Sequence, residues 1–132
     1  MSEFSWPVRV YYEDTDAGGV VYHASYIRFF ERGRTEWLRA LGYTQAQVRE
    51  ELAVLFTVVS LDIQYLRPAR LDELLHVITQ PRMTGGASME FEQRVQRDDG
   101  EVVARGKVRA ACVDAATFKP RRLPPELRTR MS

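Results

Sequence analysis

Three acids, Glu13, Asp14 and Asp16, fall within four positions, and Gly18 and Gly19 follow almost at once. A carboxylate can attack a carbonyl carbon directly or take a proton from water as general base. The glycines let backbone approach a ligand closely. The segment after them, from about Tyr22, has the apolar spacing of a helix. The first N–H groups of a helix lack internal partners and can stabilise a developing oxyanion. Carboxylates, glycines and a helix start together suit acyl-group chemistry. The spacing is equally met by a solvated turn whose acids complement the helix dipole.

Other catalytic equipment is missing from the sequence. His23, His76 and Cys112 stand too far apart to give a metal-ligand spacing. There is no phosphate-binding P-loop, no dinucleotide fingerprint and no Gly-x-Ser-x-Gly elbow. Cys112 sits among Ala110, Ala111 and Val113, where an apolar setting keeps a thiol protonated and inert. Catalysis by this chain would therefore rest on carboxylates, His23 or backbone dipoles.

The elements that must position these groups follow from periodicity. Phe4 to Tyr12 alternates as a strand. Tyr26, Phe30, Gly33, Trp37 and Leu41 recur at helical spacing, widened by Ile27, Phe29 and Leu38, so one long buried helix is predicted from about Tyr22 to Leu41. Gly42 is placed for a left-handed cap. Thr44 and Gln47 form a capping box for a short helix to about Leu52. Four strands follow: Val54–Leu66, Leu74–Met83, Ser88–Gln96 and Glu101–Val113. Pro81 hints at an edge or bulge. Thr84–Ala87 and Arg97–Gly100 read as turns. The tail beyond Pro120 reads as a short helix or an irregular arm. The plan is α+β: an antiparallel sheet of about five strands curled round one long helix.

Composition limits the partners. The chain has 132 residues, the size of one domain, so residues 1–132 are read as a single unit. Hydrophobic residues make up 45%, enough for a core. A lone domain of this size buries only about two-thirds of its unfolded surface, so oligomerisation would add useful burial. Lys plus Arg number 19 against 18 acids, a net charge of +1 that gives no general drive towards nucleic acid. One cysteine precludes an intrachain disulfide and suits a reducing compartment. Met1 to Pro7 lacks the basic and apolar regions of a signal peptide, and no run is long and apolar enough to span a bilayer. A cytoplasmic location is the expectation.

The run Tyr11-Tyr12-Glu13-Asp14-Thr15-Asp16-Ala17-Gly18-Gly19-Val20-Val21-Tyr22-His23-Ala24-Ser25-Tyr26 resembles the signature of the hotdog-fold 4-hydroxybenzoyl-CoA thioesterase family. Within it the match is closest to the Tol-Pal-associated, YbgC-type acyl-CoA thioesterases. Phe29 to Arg39 and Tyr65-Leu66-Arg67-Pro68-Ala69 extend the likeness over most of the chain. The resemblance implies a hotdog fold and hydrolysis of acyl-CoA without a cofactor. It makes Asp16, the second acid of the Asp-x-Asp pair, the catalytic carboxylate, with Gly19 three residues on. It places the oxyanion donor at the helix start, seven residues after Asp16, at His23, whose main chain, ring or both would act, the ring either positioning substrate or packing at an interface. Glu13 and Asp14 are left with turn hydrogen bonds or solvated charge.

Tyr22 and Tyr26 would pack or line an acyl pocket. Arg67 is a candidate for CoA phosphate, as are Arg70, Arg82, Arg121 and Arg122, since Arg forks bind phosphate well. Gly85 to Ser88 is expected to approach the pantetheine arm, with Ser88 as its substrate-binding residue. Acyl carrier protein is a second possible partner. The family resemblance further implies dimers or tetramers with sites between subunits. Two rival readings stand beside hydrolysis: a hotdog dehydratase, and a non-catalytic acyl-CoA or acyl-carrier-protein binding module linked to envelope maintenance.

Overall fold

The computed structural model describes residues 2–131. Strand β1, Phe4–Arg9, leads into a 3-10 turn, Tyr12–Asp14. The long helix α1, Ser25–Ala40, and the short helix α2, Gln45–Leu52, come next. Then come β2, Val54–Tyr65; β3, Leu74–Met83; β4, Ser88–Gln96; β5, Val102–Asp114; and a terminal helix α3, Pro125–Met131. The five strands form one antiparallel sheet in the order β1-β3-β4-β5-β2. Strands β3, β4 and β5 are joined by turns, whereas β2 crosses to the far side of the meander before β3 begins.

Helix α1 lies over β1, β3 and β4. Its Phe29, Phe30 and Leu38 are fully buried against Leu75, Val77, Met89 and Val95 of the sheet. Trp37 meets Phe91 edge-on, with ring centroids 5.3 Å apart. Gly33 marks the closest crossing. A Cβ there would stand 2.8 Å from Thr79 Oγ1 and from Val77 Cγ1, so any side chain would push the helix off β3. The sheet curled round one long helix is the architecture that the sequence implied.

Several boundaries shift. The strand expected to reach Tyr12 ends at Arg9; Tyr11 and Tyr12 are exposed. The cause is Asp14, whose Oδ2 accepts the Tyr11 N–H at 2.8 Å and coils the chain into the 3-10 turn. Helix α1 starts at Ser25 rather than near Tyr22, because residues 15–22 fold back as a loop. Ile27, expected on the buried stripe, is 41% exposed. Pro81 lies in an interior strand, but β1 ends opposite Thr79, so β3 has only β4 beside it there. The Thr44–Gln47 capping box and the left-handed Gly42 form as read, with φ +101° at Gly42.

Strand β2 carries an irregularity. Its register against β5 slips by one residue between Val58 and Ser60. Phe56 and Val58 lie opposite the buried Cys112 and Ala110. Past the bulge, Leu61, Ile63 and Tyr65 lie opposite Val108, Gly106 and Ala104. Residues directly opposite share a face. The extra residue therefore keeps these large apolar side chains of β2 on the inner face. Helix α2 packs on β2, whereas α1 packs mainly on β1, β3 and β4 and meets the end of β2, where the Tyr26 ring lies 5.6 Å from that of Tyr65. Val58, Leu61 and Tyr65 consequently stay exposed on the helix side of the sheet.

Candidate active site

Asp16 begins a tight turn. Its backbone N–H donates to Val20 O at 2.9 Å, and Gly19 N–H donates to Asp16 O at 3.0 Å. Gly19 holds φ at +78°, a conformation that glycine adopts without strain. The Asp16 carboxylate accepts the Gly18 N–H through Oδ1 at 2.8 Å. Among the described residues its Oδ2 has no partner. A Cβ at position 18 would crowd Oδ1 at 3.2 Å. The side chain is thus aimed by its own turn and left exposed to what approaches from outside.

The loop is docked at both ends. Thr15 bridges Val21, and Val20 bridges Arg70. Val21 N–H donates to Ala69 O at 2.8 Å. Asp14 is buried and structural in its contacts: besides Tyr11 N–H, its carbonyl accepts the Tyr22 N–H at 2.8 Å and the Ser25 hydroxyl at 3.0 Å. Glu13 is exposed. The three acids that looked alike in sequence therefore occupy three different environments.

Two peptide planes at the start of α1 are pinned by their carbonyls. Tyr22 O accepts the Ser25 N–H at 2.8 Å, and His23 O accepts the Tyr65 hydroxyl at 2.9 Å. In a trans peptide the N–H points opposite the C=O. The His23 and Ala24 N–H groups are thereby fixed in direction, and among the described residues neither has an acceptor. No side chain caps the helix at Ala24. An electronegative atom placed there would meet two oriented donors at the positive end of the α1 dipole.

Aromatic rings wall the helix start. The exposed His23 ring lies 4.4 Å from that of Tyr22 and 6.2 Å from that of Tyr65. Tyr26 is buried beneath, 5.6 Å from Tyr65 and 5.8 Å from Phe29. Burial pushes the Tyr26 phenol up, and the Ala69 backbone N–H hydrogen-bonded to it opposes that shift. Tyr22 is exposed and available to a ligand, while Tyr26 is a packing residue in its contacts.

Sequence reasoning gave Arg97 and Glu73 no role near the site. Arg97 Nε donates to Glu73 Oε1 at 2.7 Å, and its Nη2 donates to Pro68 O at 2.6 Å. Arg97 also pairs with Glu101. Glu73 Oε2 accepts the Arg70 N–H at 2.7 Å. This cluster fixes the Pro68–Glu73 segment on which Val20 and Val21 rest. The hydrogen bond from Arg97 holds the Glu73 carboxyl below its ordinary range, and Glu73 in turn raises Arg97. Only the tertiary fold joins these two positions.

The remaining candidates scatter. Arg67 is exposed near the Val103 end of β5, 4.0 Å from Glu101 Oε2. Arg82 pairs with Glu90, and Arg121 with Asp114. Ser88 bonds Thr84 Oγ1 at 2.9 Å and stands opposite Ala111, whereas Tyr65 stands opposite Ala104. Seven residues of β5 separate those registers, roughly 24 Å of strand. Within one protomer, Ser88 does not meet Asp16. Cys112 is fully buried, and burial pushes its thiol up, as expected of a core thiol.

Residues 10–131 match the thioesterase-like superfamily. The chain belongs to that superfamily. It is 50% identical over 125 residues to the acyl-CoA thioesterase YbgC of Haemophilus influenzae, covering 95% of this chain and 91% of that one. It is 47% identical over 121 residues to the acyl-CoA thioester hydrolase YbgC of Escherichia coli O157:H7, covering 92% and 90%. Its fold superposes on a probable thioesterase from Bartonella henselae with a TM-score of 0.87 and 36% identity, covering 93% and 100%. The YbgC-type likeness of the Tyr11–Tyr26 run thus extends over nearly the whole of this thioesterase-like chain. Among the described residues, no helix is long and apolar enough to cross a membrane.

Proposed function

We propose that this chain is an acyl-CoA thioesterase in which Asp16 activates the attack and the His23 N–H receives the oxyanion. One observation carries the assignment: a turn-held carboxylate with a free oxygen precedes a helix start whose pinned N–H groups have no partner among the described residues. The thioester carbonyl oxygen would sit on those donors. A new C–O bond forms at the carbonyl carbon, and the C–S bond breaks. Asp16 either attacks directly, giving a mixed anhydride that water then opens, or takes the proton from an attacking water. The leaving thiol has a pKa of about 8.5 by analogy with cysteine, so it departs without a strong general acid. One well-placed oxyanion donor contributes roughly 3–4 kcal/mol to the transition state.

The chain works as one domain and as an oligomer in this reading. Among the described residues, β2 is paired on one side only, by β5, and its free edge suits a second copy. A subunit boundary there would bring Ser88 and its turn towards a neighbour's loop. Gly19 permits close approach of the pantetheine arm, Tyr22 bounds the acyl entrance with Tyr26 packed beneath it, and Arg67 meets CoA phosphate. The location is cytoplasmic, and acyl carrier protein is a second acyl donor. The rival reading, a binding module without turnover, is separated by one assay. Free thiol is followed while the protein is incubated with a panel of acyl-CoAs. Release that requires Asp16 supports hydrolysis; binding without release supports the module.

A further inference from the structure

Gln93 is buried under α1, where a neutral amide must find partners. Its Nε2 donates to Phe30 O and to Thr79 Oγ1, each at 2.9 Å. That arrangement uses both amide protons and turns Oε1 the other way, where it accepts Arg34 Nη1 at 3.0 Å. Arg34 is half-buried, and burial lowers its guanidinium from the ordinary range. Among the described residues no carboxylate is in ion-pair contact with it. Glu31, one turn earlier on the helix, lines the same groove and pulls the Arg34 guanidinium back up by its charge, but its Oε2 accepts the Thr35 hydroxyl at 3.0 Å and does not bond Arg34. A guanidinium carries five donors; among the described residues one of them is matched, by the neutral Gln93 oxygen.

This cation lines a groove of about 300 Å³ between α1 and β2. Trp37, Leu38, Phe56, Val58 and Phe91 supply its apolar walls, and Glu31, Thr35, Gln45 and Thr57 its polar ones. The inner strip of β2 runs from Phe56 and Val58 through Leu61 and Ile63 to Tyr65, which is bonded to His23. Along α1, nine residues separate Ser25 from Arg34, about 14 Å at 1.5 Å rise per residue. An extended medium-length acyl chain spans that distance. Pairing of β2 with a second copy would use its backbone edge, not these inner side chains.

We propose that the α1–β2 groove receives the far end of the acyl group and that Arg34 selects acyl chains ending in a carboxylate over plain alkyl chains. The inference rests on the thioesterase reading. An apolar track satisfies the methylenes, and an under-coordinated cation at its end satisfies an anionic terminus.

The test compares decanoyl-CoA with its ω-carboxylated counterpart, using kcat/KM ratios so that general losses cancel. The wild-type ratio should favour the carboxylated ester by about tenfold or more, the factor expected for one charged hydrogen bond. Arg34→Met should bring the ratio to about one or below, while Arg34→Lys should keep part of it. Val58→Glu, made at an exposed position, should supply the cation with an internal partner and abolish the preference even if the Arg34 variants fold poorly. A wild-type ratio of one, or a preference that survives Arg34→Met or Val58→Glu, overturns the proposal. A change of oligomeric state in Val58→Glu with the ratio intact also overturns it, assigning the groove to a second copy. Calorimetric binding of both esters to Asp16→Asn gives the same ratio without turnover. If wild type cleaves neither ester, the thioesterase reading fails, and the binding ratio still decides the role of Arg34.

Discussion

The Tyr65 hydroxyl donates to the His23 carbonyl at 2.9 Å, joining the last residue of β2 to the start of α1. The bond fixes the His23–Ala24 peptide and so the direction of an unpartnered N–H. Tyr65→Phe removes it and leaves the ring contacts with Tyr26 and His23. The expected cost is about 1 kcal/mol, roughly fivefold in kcat/KM, with little change in melting temperature. Steady-state kinetics beside a thermal melt would measure both. A large stability loss with unchanged kinetics would make the bond purely structural.

Asp16→Asn keeps a hydrogen-bond acceptor for the Gly18 N–H and removes the basic oxygen. Turnover should fall by about 10²–10⁴-fold, the usual range for a lost general base, or further if Asp16 is the nucleophile. Affinity for acyl-CoA and the melting temperature should hold. A variant with near-normal rates would remove Asp16 from the chemistry.

Asp14→Ala separates the neighbouring acid from catalysis. The variant leaves the Tyr11 N–H without its carboxylate partner, at a site where Asp14 is 2% exposed. Destabilisation of about 1–3 kcal/mol is expected, read as a lower midpoint in a denaturant titration. The loss in kcat should be far smaller than in Asp16→Asn, provided the assay is run well below the melting point.

Gly19→Ala tests the turn itself. An alanine at φ +78° has open space around its Cβ, so the penalty is backbone strain alone. That strain is about 1–2 kcal/mol. Gly19→Asn should cost less, because Asn tolerates the left-handed region better. Equal stability in the Ala and Asn variants would contradict the conformational account.

The Glu73–Arg97 pair predicts a pH dependence. Glu73 is held below its ordinary value of 4.5, so the folded state binds its proton less readily than the unfolded chain. Its stabilising contribution is therefore fully present above that value and is lost as pH falls through the lower, folded value. Acid unfolding of wild type should steepen in this window. Glu73→Gln should be less stable near neutral pH and should show a shallower slope below pH 4.5. An unchanged slope would show that other carboxylates govern acid unfolding.

Local patterns in the chain determined much of this architecture. The stripe from Tyr26 to Trp37 needs only helical geometry to bury one face, so α1 was legible. Alternation in Ser88–Gln96 placed Met89, Phe91, Gln93 and Val95 inward, as observed. The Thr44 box and the Gly42 and Gly100 turns act over three or four residues and were equally plain. The acid-and-glycine run marked the candidate site because its own backbone makes the turn.

Interactions between distant residues were hidden. Glu13, Asp14 and Asp16 are the same kind of group in sequence, and only folding buries the second and leaves the third open. The end of β1 at Arg9 depends on where the Asp14 carboxylate lands. Ile27 kept a helical position but stayed exposed, because α1 packs mainly on β1, β3 and β4. The links from Tyr65 to His23, Glu73 to Arg97 and Gln93 to Arg34 span 42, 24 and 59 residues. Such contacts form only once the sheet order is set, and periodicity carries no record of which strands become neighbours. Sequence thus determined the elements and the candidate reactive run. Tertiary structure decided which acid is exposed, which N–H groups are pinned, and where Arg34, in no ion pair among the described residues, meets the apolar side chains of β2.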